Sequence, residues 1–359
     1  QAAIPRAWAI SPPSPARLIA RSPGGIMVTI SPNRSNVMHP HAFTSRRSSV
    51  TLLVVLSMLL LTGVARAADK PNILFIFADD LAYDAVGAYG NDQVKTPNLD
   101  RLASQGVTFT SAYNQGGWHG AVCVASRTML NTGLFMWHAR DAEKDLKKDW
   151  QANGRTWSQR LAKAGYDTYF TGKWHVKADT GVLFKVARHV RPGMPNQTKE
   201  GYDRPHEGKP DPWDPSDPKF GGFWAGGRHW SEVVADDAID YLDMSAKSDN
   251  PFFMYIAFNA PHDPRQAPKK YVDMYPWQSI HLPQPFAEQI PHGIVPNGLR
   301  DERLAPFPRT EYAVKVNRAE YYAIISHMDT QIGRIVDHLK KTRQDRNPCI
   351  DFTANHALA

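Results

Sequence analysis

The feature that most restricts the fold of this sequence is an uninterrupted apolar segment, residues 73–78, that ends in Asp79 and Asp80. A run without alternation is typical of a strand that is buried on both faces, as in a sheet with helices on either side. Residues 166–171 and 252–258 have the same apolar character. The pattern predicts an α/β fold, with a large mixed, mostly parallel β-sheet sandwiched between helices.

Further elements are predicted from the spacing of apolar residues and from helix stop signals. Helices are expected over residues 98–105, 156–164, 232–242 and 318–341, and short strands over residues 107–109 and at the end of the chain. Residues 178–230 and 264–308 show no clear period and are predicted to be irregular. Five aromatic side chains in the first of these segments either offer flat faces to a sugar ring or pack the segment onto the domain: Trp213, Phe220, Phe223, Trp224 and Trp230.

The positive charge of the chain comes from its first 67 residues. They contain seven arginines and no lysine, aspartate or glutamate, which accounts for the whole net charge of +7. No nucleic-acid partner is therefore predicted.

The same N-terminal region indicates export. Residues 1–37 are predicted to be unstructured or spurious, and residues 38–67 have the basic, apolar and A-x-A segments of a signal peptide. Residues 68–359 would form one periplasmic or extracellular domain. A retained membrane anchor is the alternative, although an apolar run of about 12 residues is short for a stable membrane span.

The acids at the end of the first predicted strand indicate a divalent metal ion. Asp79 and Asp80 come where open α/β sheets place their ligands. Adjacent carboxylates are costly there unless a cation neutralises them. The alternative is that they cap a following helix or face water.

Residues 123–133 read C-V-A-S-R-T-M-L-N-T-G and enter a predicted helix. A helix N-terminus carries unpaired N–H groups and about half a positive charge, which favours a sulfate or phosphate oxygen beside it. Arg127, one turn later, adds a fixed cation. The other interpretation is an ordinary helix start with a buried Cys123.

Together these segments resemble the type I, formylglycine-dependent sulfatases of the alkaline-phosphatase-like superfamily. The resemblance rests on the Cys123 signature, the acidic pair with its flanking residues, G-K-W-H at 172–175 and N-A-P-H at 259–262. Ala125 and Leu134 stand where the family usually has Pro and Arg. Taken alone, the Lys173–His175 pair would be ordinary surface, and His262 an ordinary loop residue.

The resemblance implies roles for the matching residues. Cys123 would be oxidised to formylglycine by a maturation enzyme, and the hydrated aldehyde would be the nucleophile. Arg127, Lys173 and His175 would orient and neutralise the sulfate group, and His262 would assist departure of the alcohol. One Ca²⁺ ion would be held by Asp79, Asp80, Cys123, Asn355 and His356.

The last residues of the chain resemble the second metal segment of the family, with two departures. Asn355 stands where the family has Asp, and Ala357 replaces the usual Gly. Because hard cations bind more tightly to more carboxylates, weaker metal binding is predicted. Family members continue through a smaller C-terminal subdomain, so the chain is interpreted as the N-terminal portion of a sulfatase, truncated at its C-terminal end.

The predicted function is hydrolysis of sulfate monoesters, on a sulfated small molecule or polysaccharide. Two alternatives stay open: a phosphoester or phosphonate hydrolase of the same superfamily, and a non-catalytic protein that binds sulfated glycans. Asn355 and the truncation favour the non-catalytic alternative. Intact Cys123, Arg127, Lys173 and His175 favour retained chemistry.

Overall fold

The structure is a computed structural model that describes residues 70–118, 122–193, 199–224, 226–284, 286, 303–344 and 348–355. The strands within these residues are β1 (Asn72–Asp79), β2 (Asp167–Lys173), β3 (Val186–Arg191), β4 (Phe252–Pro261) and β5 (Pro348–Ala354). They form one five-stranded sheet in the order β3-β2-β4-β1-β5. Each of its pairings is parallel, which confirms the predicted fold class.

Helices alternate with the strands along the chain. They are α1 (Pro97–Gln105), α2 (Val122–Thr132), α3 (Met136–Glu143), α4 (Trp157–Lys163), α5 (Thr180–Leu183), α6 (Trp230–Ser245), α7 (Lys269–Val272) and α8 (Glu311–Lys341). A π-helix spans Leu146–Gln151, and short 3-10 helices span Tyr83–Ala85, Gly87–Tyr89, Lys199–Gly201 and Trp277–Ser279. No helix in the described part combines the length and apolar character needed to cross a bilayer. The predicted signal peptide lies outside the described residues.

The two faces of the sheet carry separate apolar cores. On the α8 face, Leu74, Ile76, Met254 and Ile256 join the core that contains the buried side chains of α6 and α8. On the α2 face, Phe75, Phe77, Phe253 and Tyr255 pack with residues of α4 and the π-helix. Each central strand is therefore buried on both sides, and this is why its sequence is an unbroken apolar run.

Four predictions about individual elements were wrong. The segment 264–308, predicted to be irregular, contains the short helix α7 and the 3-10 helix Trp277–Ser279. Residues 107–109 form no strand: Val107 and Phe109 are 83% and 71% exposed, and no described strand lies beside them to share backbone hydrogen bonds. The segment 178–230 contains α5 and the edge strand β3. The side chains of β3 are at least partly exposed, so its sequence shows neither an apolar run nor an alternation of apolar and polar residues. Helix α8 begins at Glu311, where the Thr310 hydroxyl accepts a 3.1 Å hydrogen bond from Ala313 N.

Gly172, in β2, occupies a position that admits no side chain. Its φ is +96°, and a Cβ there would lie 1.9 Å from the Ala257 carbonyl oxygen. We predict that Gly172→Ala lowers the free energy of unfolding by about 2–5 kcal/mol, from about 1–2 of left-handed strain and about 1–3 of overpacking. The control is Gly208→Ala, where φ is +73° and no described neighbour lies within 4 Å of the Cβ position. Equal losses in urea unfolding of the two variants would contradict this account.

Candidate active site

Asp79, the last residue of β1, is fully buried among cations. Lys173 Nζ forms an ion pair with Asp79 Oδ2, and Arg127 Nη2 lies 3.7 Å from Oδ1. Burial alone raises the pKa of Asp79, but the charges of Lys173, Arg127 and His262 outweigh it and lower that pKa. The carboxylate is therefore ionised, and it holds two buried cations at the carboxyl edge of the sheet.

Arg127 extends from α2 onto the sheet and contacts its three central strands. Its Nη1 donates to the Lys173 carbonyl at 2.6 Å and to the Tyr255 hydroxyl at 3.5 Å. Its guanidinium lies 4.9 Å from the centre of the Phe77 ring. Nε and Nη2 make no hydrogen bond to any described residue. The side chain is thus fixed in place while two of its nitrogens keep donors for an anion.

Asn355 joins the end of β5 to the end of β1. Its Nδ2 donates to Asp79 Oδ1, and its Oδ1 accepts a 3.1 Å hydrogen bond from Asp80 N. Asp80 is buried in a left-handed conformation with φ of 67°. Its carbonyl accepts a 2.6 Å bond from the Tyr321 hydroxyl of α8. The side chains of Asp79 and Asn355 and the backbone of Asp80 therefore meet at one point of the sheet.

Cys123 and His262 complete the cluster from the other side. Cys123 is buried in the first turn of α2, and ligand atoms of Asp79, Cys123 and His262 all lie within 4.8 Å of one another. His262 Nδ1 is 2.5 Å from Asp263 Oδ1. Burial lowers the pKa of His262, but hydrogen bonds with Asp263 and Cys123 and the charge of Asp79 raise the pKa to about 10. The imidazole is therefore a cation with a proton to give.

Two predicted site residues are not joined to this cluster. His175 lies two residues beyond β2 with φ of 54°, and its buried Nδ1 has no hydrogen-bond partner among the described residues. No contact found in the described part of the chain links its ring to the other site residues. His356 lies outside the described residues. The roles of both stay predictions.

The structure adds residues that the sequence reading missed. Asp263 holds His262, and Tyr255 accepts from Arg127. Adjacency to His262 could have indicated Asp263, whereas Tyr255 is hidden inside an apolar strand. Three of the five aromatic residues considered as sugar platforms are buried, and they pack the segment onto the domain: Trp213, Phe220 and Trp230.

Two sets of side chains near Asp79 contain atoms that can ligate a metal ion. Asp79, Asp80 and Asn355 offer carboxylate and amide oxygens, which Ca²⁺ and Mg²⁺ prefer. The group of Asp79, Cys123 and His262 would suit a softer ion such as Zn²⁺. We carry the oxygen set forward because carboxylate and amide oxygens are the ligands that hard cations prefer, and the Asp79 and Asn355 side chains are already in contact.

Fold and site define a class: α/β proteins with a buried cluster of charged side chains at the carboxyl edge of a parallel sheet. The Sulfatase family model matches residues 71–359. The chain belongs to the sulfatase family, within the alkaline-phosphatase-like superfamily.

Individual relatives agree with this assignment. A sulfatase of Formosa agariphila is 28% identical over 319 residues, covering 82% of this chain and 60% of that protein. The iduronate 2-sulfatase of Mus musculus is 27% identical over 355 residues, covering 88% of this chain and 60% of that protein. The chain thus spans 60% of the length of these relatives.

A solved structure confirms the fold alone. The crystal structure of the phosphonate monoester hydrolase of Agrobacterium radiobacter superposes with a TM-score of 0.55 at 22% identity, covering 80% of this chain and 63% of that one. The same architecture therefore occurs in a protein named for a different ester.

Proposed function

We propose that this chain is the catalytic part of an exported sulfuric ester hydrolase that cleaves sulfate monoesters of carbohydrates. The observation that carries the proposal is the buried cluster of Arg127, Lys173 and His262 around Asp79 and Cys123. Arg127 Nε and Nη2 make no hydrogen bond to a described residue, and buried donors are costly to leave without an acceptor, so the cluster suits an anionic group. The names of the relatives support a sulfate ester, and iduronate 2-sulfatase is named for a sugar.

The cluster meets the requirements of sulfate ester hydrolysis. Such an ester resists attack because its oxygens repel nucleophiles and its alkoxide leaves poorly, so the sulfate must be neutralised and the leaving oxygen protonated. Arg127 keeps Nε and Nη2 for the sulfate oxygens, since neither nitrogen hydrogen-bonds to a described residue. His262, kept protonated beside Asp263, would give its proton to the departing alcohol.

The nucleophile would come from Cys123. After a maturation enzyme has oxidised it to formylglycine, the hydrated aldehyde would supply a hydroxyl group at the start of α2. The side chains of Asp79, Asp80 and Asn355 would hold one Ca²⁺ ion, which supplies Lewis-acid polarisation when bound. The ion would bind beside Lys173 and Arg127, which both pair with Asp79.

An ester-competition assay tests the proposal. With the protein purified from its native host, we expect 4-nitrophenyl sulfate and sugar sulfates to be hydrolysed at least about tenfold faster than the matching phosphate and phosphonate esters. A chelator should lower the rate at least about tenfold, and added Ca²⁺ should restore it. Faster hydrolysis of the phosphate or phosphonate ester would favour the alternative that the Agrobacterium structure raises.

A variant at Asn355 provides the matched control for the metal. Asn355→Asp adds a carboxylate, so a lower Ca²⁺ concentration should restore its activity after chelation. Without metal the variant should be less stable than wild type, because Asn355 Nδ2 now donates to Asp79 and an aspartate would repel it. An unchanged Ca²⁺ requirement would place the ion elsewhere.

Sulfate binding without hydrolysis of any ester would indicate a non-catalytic glycan-binding protein.

A further inference from the structure

Asn259 has a buried side-chain amide without a hydrogen-bond partner. The residue is 7% exposed, and neither Nδ2 nor Oδ1 is bonded to any described residue. Buried amides are nearly always paired, because an unpaired donor or acceptor loses its hydration and gains nothing in return. One side chain that carries both an unpaired donor and an unpaired acceptor therefore points to a binding partner from solution.

Strand β4 places Asn259 on the α2 face of the sheet, near its carboxyl edge. Phe258 and Ala260 belong to the core of the α8 face, so the residue between them lies on the α2 face. The preceding residues of the same row, Tyr255 and Ala257, belong to the core of that face. The Tyr255 hydroxyl accepts from Arg127. Asn259 thus continues the row that contacts Arg127 towards the carboxyl edge of the sheet.

The backbone of Asn259 also fixes it relative to His262. The carbonyl of Asn259 accepts a 3.0 Å hydrogen bond from His262 N. His262 in turn lies within 4.8 Å of Asp79 and Cys123, measured between their ligand atoms. A tight turn therefore holds Asn259 and the His262 imidazole at the same edge.

We propose that Asn259 binds the substrate, with Nδ2 donating to an oxygen of the sulfate group and Oδ1 accepting from a hydroxyl group beside the ester. This inference rests on the proposed function. A sulfate group offers only acceptors, so it satisfies Nδ2 and leaves Oδ1 unpaired. The hydroxyl group next to the ester of a sugar supplies the missing donor, and a simple aryl ester has none. Asn259 would therefore select esters of polyhydroxylated alcohols.

Inorganic sulfate is the probe for the Nδ2 contact, because it needs neither formylglycine nor turnover. We expect Asn259→Ala to weaken sulfate binding, measured by calorimetry, at least about tenfold, because a hydrogen bond to a charged group is lost. Asn259→Asp should weaken it further, because a carboxylate repels the anion. Wild-type affinity in Asn259→Ala, or no sulfate binding by the wild-type chain, would overturn the inference.

Thermal unfolding without sulfate separates a binding role from a structural one. Asn259→Ala removes two unpaired buried atoms, so its Tm should equal or exceed that of wild type. The control is Asn317→Ala, which removes a buried amide that donates to Arg204 O at 3.2 Å and Ala313 O at 2.9 Å. That variant should have a lower Tm and unchanged sulfate affinity. A Tm loss in Asn259→Ala as large as in the control would show that the amide is structural.

Hydrolysis provides the second arm of the test. Asn259→Ala should lower kcat/KM for a monosaccharide sulfate more than for 4-nitrophenyl sulfate, and equal losses would overturn the Oδ1 contact. Weakened sulfate binding in a chain that hydrolyses no ester would support the inference and contradict the proposed function. Rapid ester hydrolysis by wild type, together with unchanged sulfate affinity in Asn259→Ala, would support the proposed function and contradict this inference.

Discussion

Lys173→Met is expected to lower the free energy of unfolding by about 3–5 kcal/mol, the loss typical of a buried ion pair that is deprived of one partner. Methionine keeps most of the apolar length of lysine but leaves Asp79 with less compensation for its buried charge. Both side chains of this pair are fully buried, so water cannot replace the missing cation. Equilibrium unfolding in urea at neutral pH measures the effect.

The matched control for this substitution is Lys185→Met. Lys185 Nζ lies 2.8 Å from the buried Asp167 Oδ1, but the lysine side chain is 59% exposed and Asp167 keeps hydrogen bonds from Ser248 and Asn250, so the expected loss is only about 1 kcal/mol. The double variant Asp79→Asn/Lys173→Met should regain part of the loss, because it removes both buried charges. If Lys173→Met were no more destabilising than Lys185→Met, the buried Lys173–Asp79 pair would contribute no more to the free energy of unfolding than a pair with an exposed lysine.

Cys123→Ala is expected to lower kcat for 4-nitrophenyl sulfate by at least about 10⁴-fold, as removal of a covalent nucleophile does in other hydrolases. The anion-binding groups are unchanged, so sulfate affinity should stay within about tenfold of wild type. Cys349→Ala is the control, because Cys349 is an exposed cysteine distant in sequence from the signature, and its activity should be unchanged. Residual activity of Cys123→Ala close to wild type would exclude Cys123 as the nucleophile.

The sequence predicted the parts of the fold that depend on burial of whole strands. The runs at 73–78 and 252–258 became β1 and β4 because both faces of these strands are covered. The predictions were wrong for the edge strand β3 and for residues 107–109, because their side chains are partly or largely exposed. An exposed edge imposes little pattern on its residues, and three strand-forming residues form no strand without a partner.

For the site, the sequence located residues at strand ends but could not give their pairing. Asp79, Lys173 and Cys123 were expected near one edge, and the structure places them together there. The sequence could not show the ion pair between Lys173 and Asp79, nor the two unpaired polar atoms of Asn259. Both depend on distances between strands that are far apart in the chain. Asn259 precedes His262 by three residues. Histidine is the more common catalytic residue, so the sequence pointed to His262 and not to Asn259.

The most direct test of the proposed nucleophile is the mass of the tryptic peptide of residues 102–127, which carries Cys123, from protein made in its native host. Oxidation of the thiol to the aldehyde lowers this mass by about 18 Da, and the account predicts that shift. An unmodified peptide, from cells that mature other sulfatases, would contradict the claim that Cys123 becomes the nucleophile of a sulfatase.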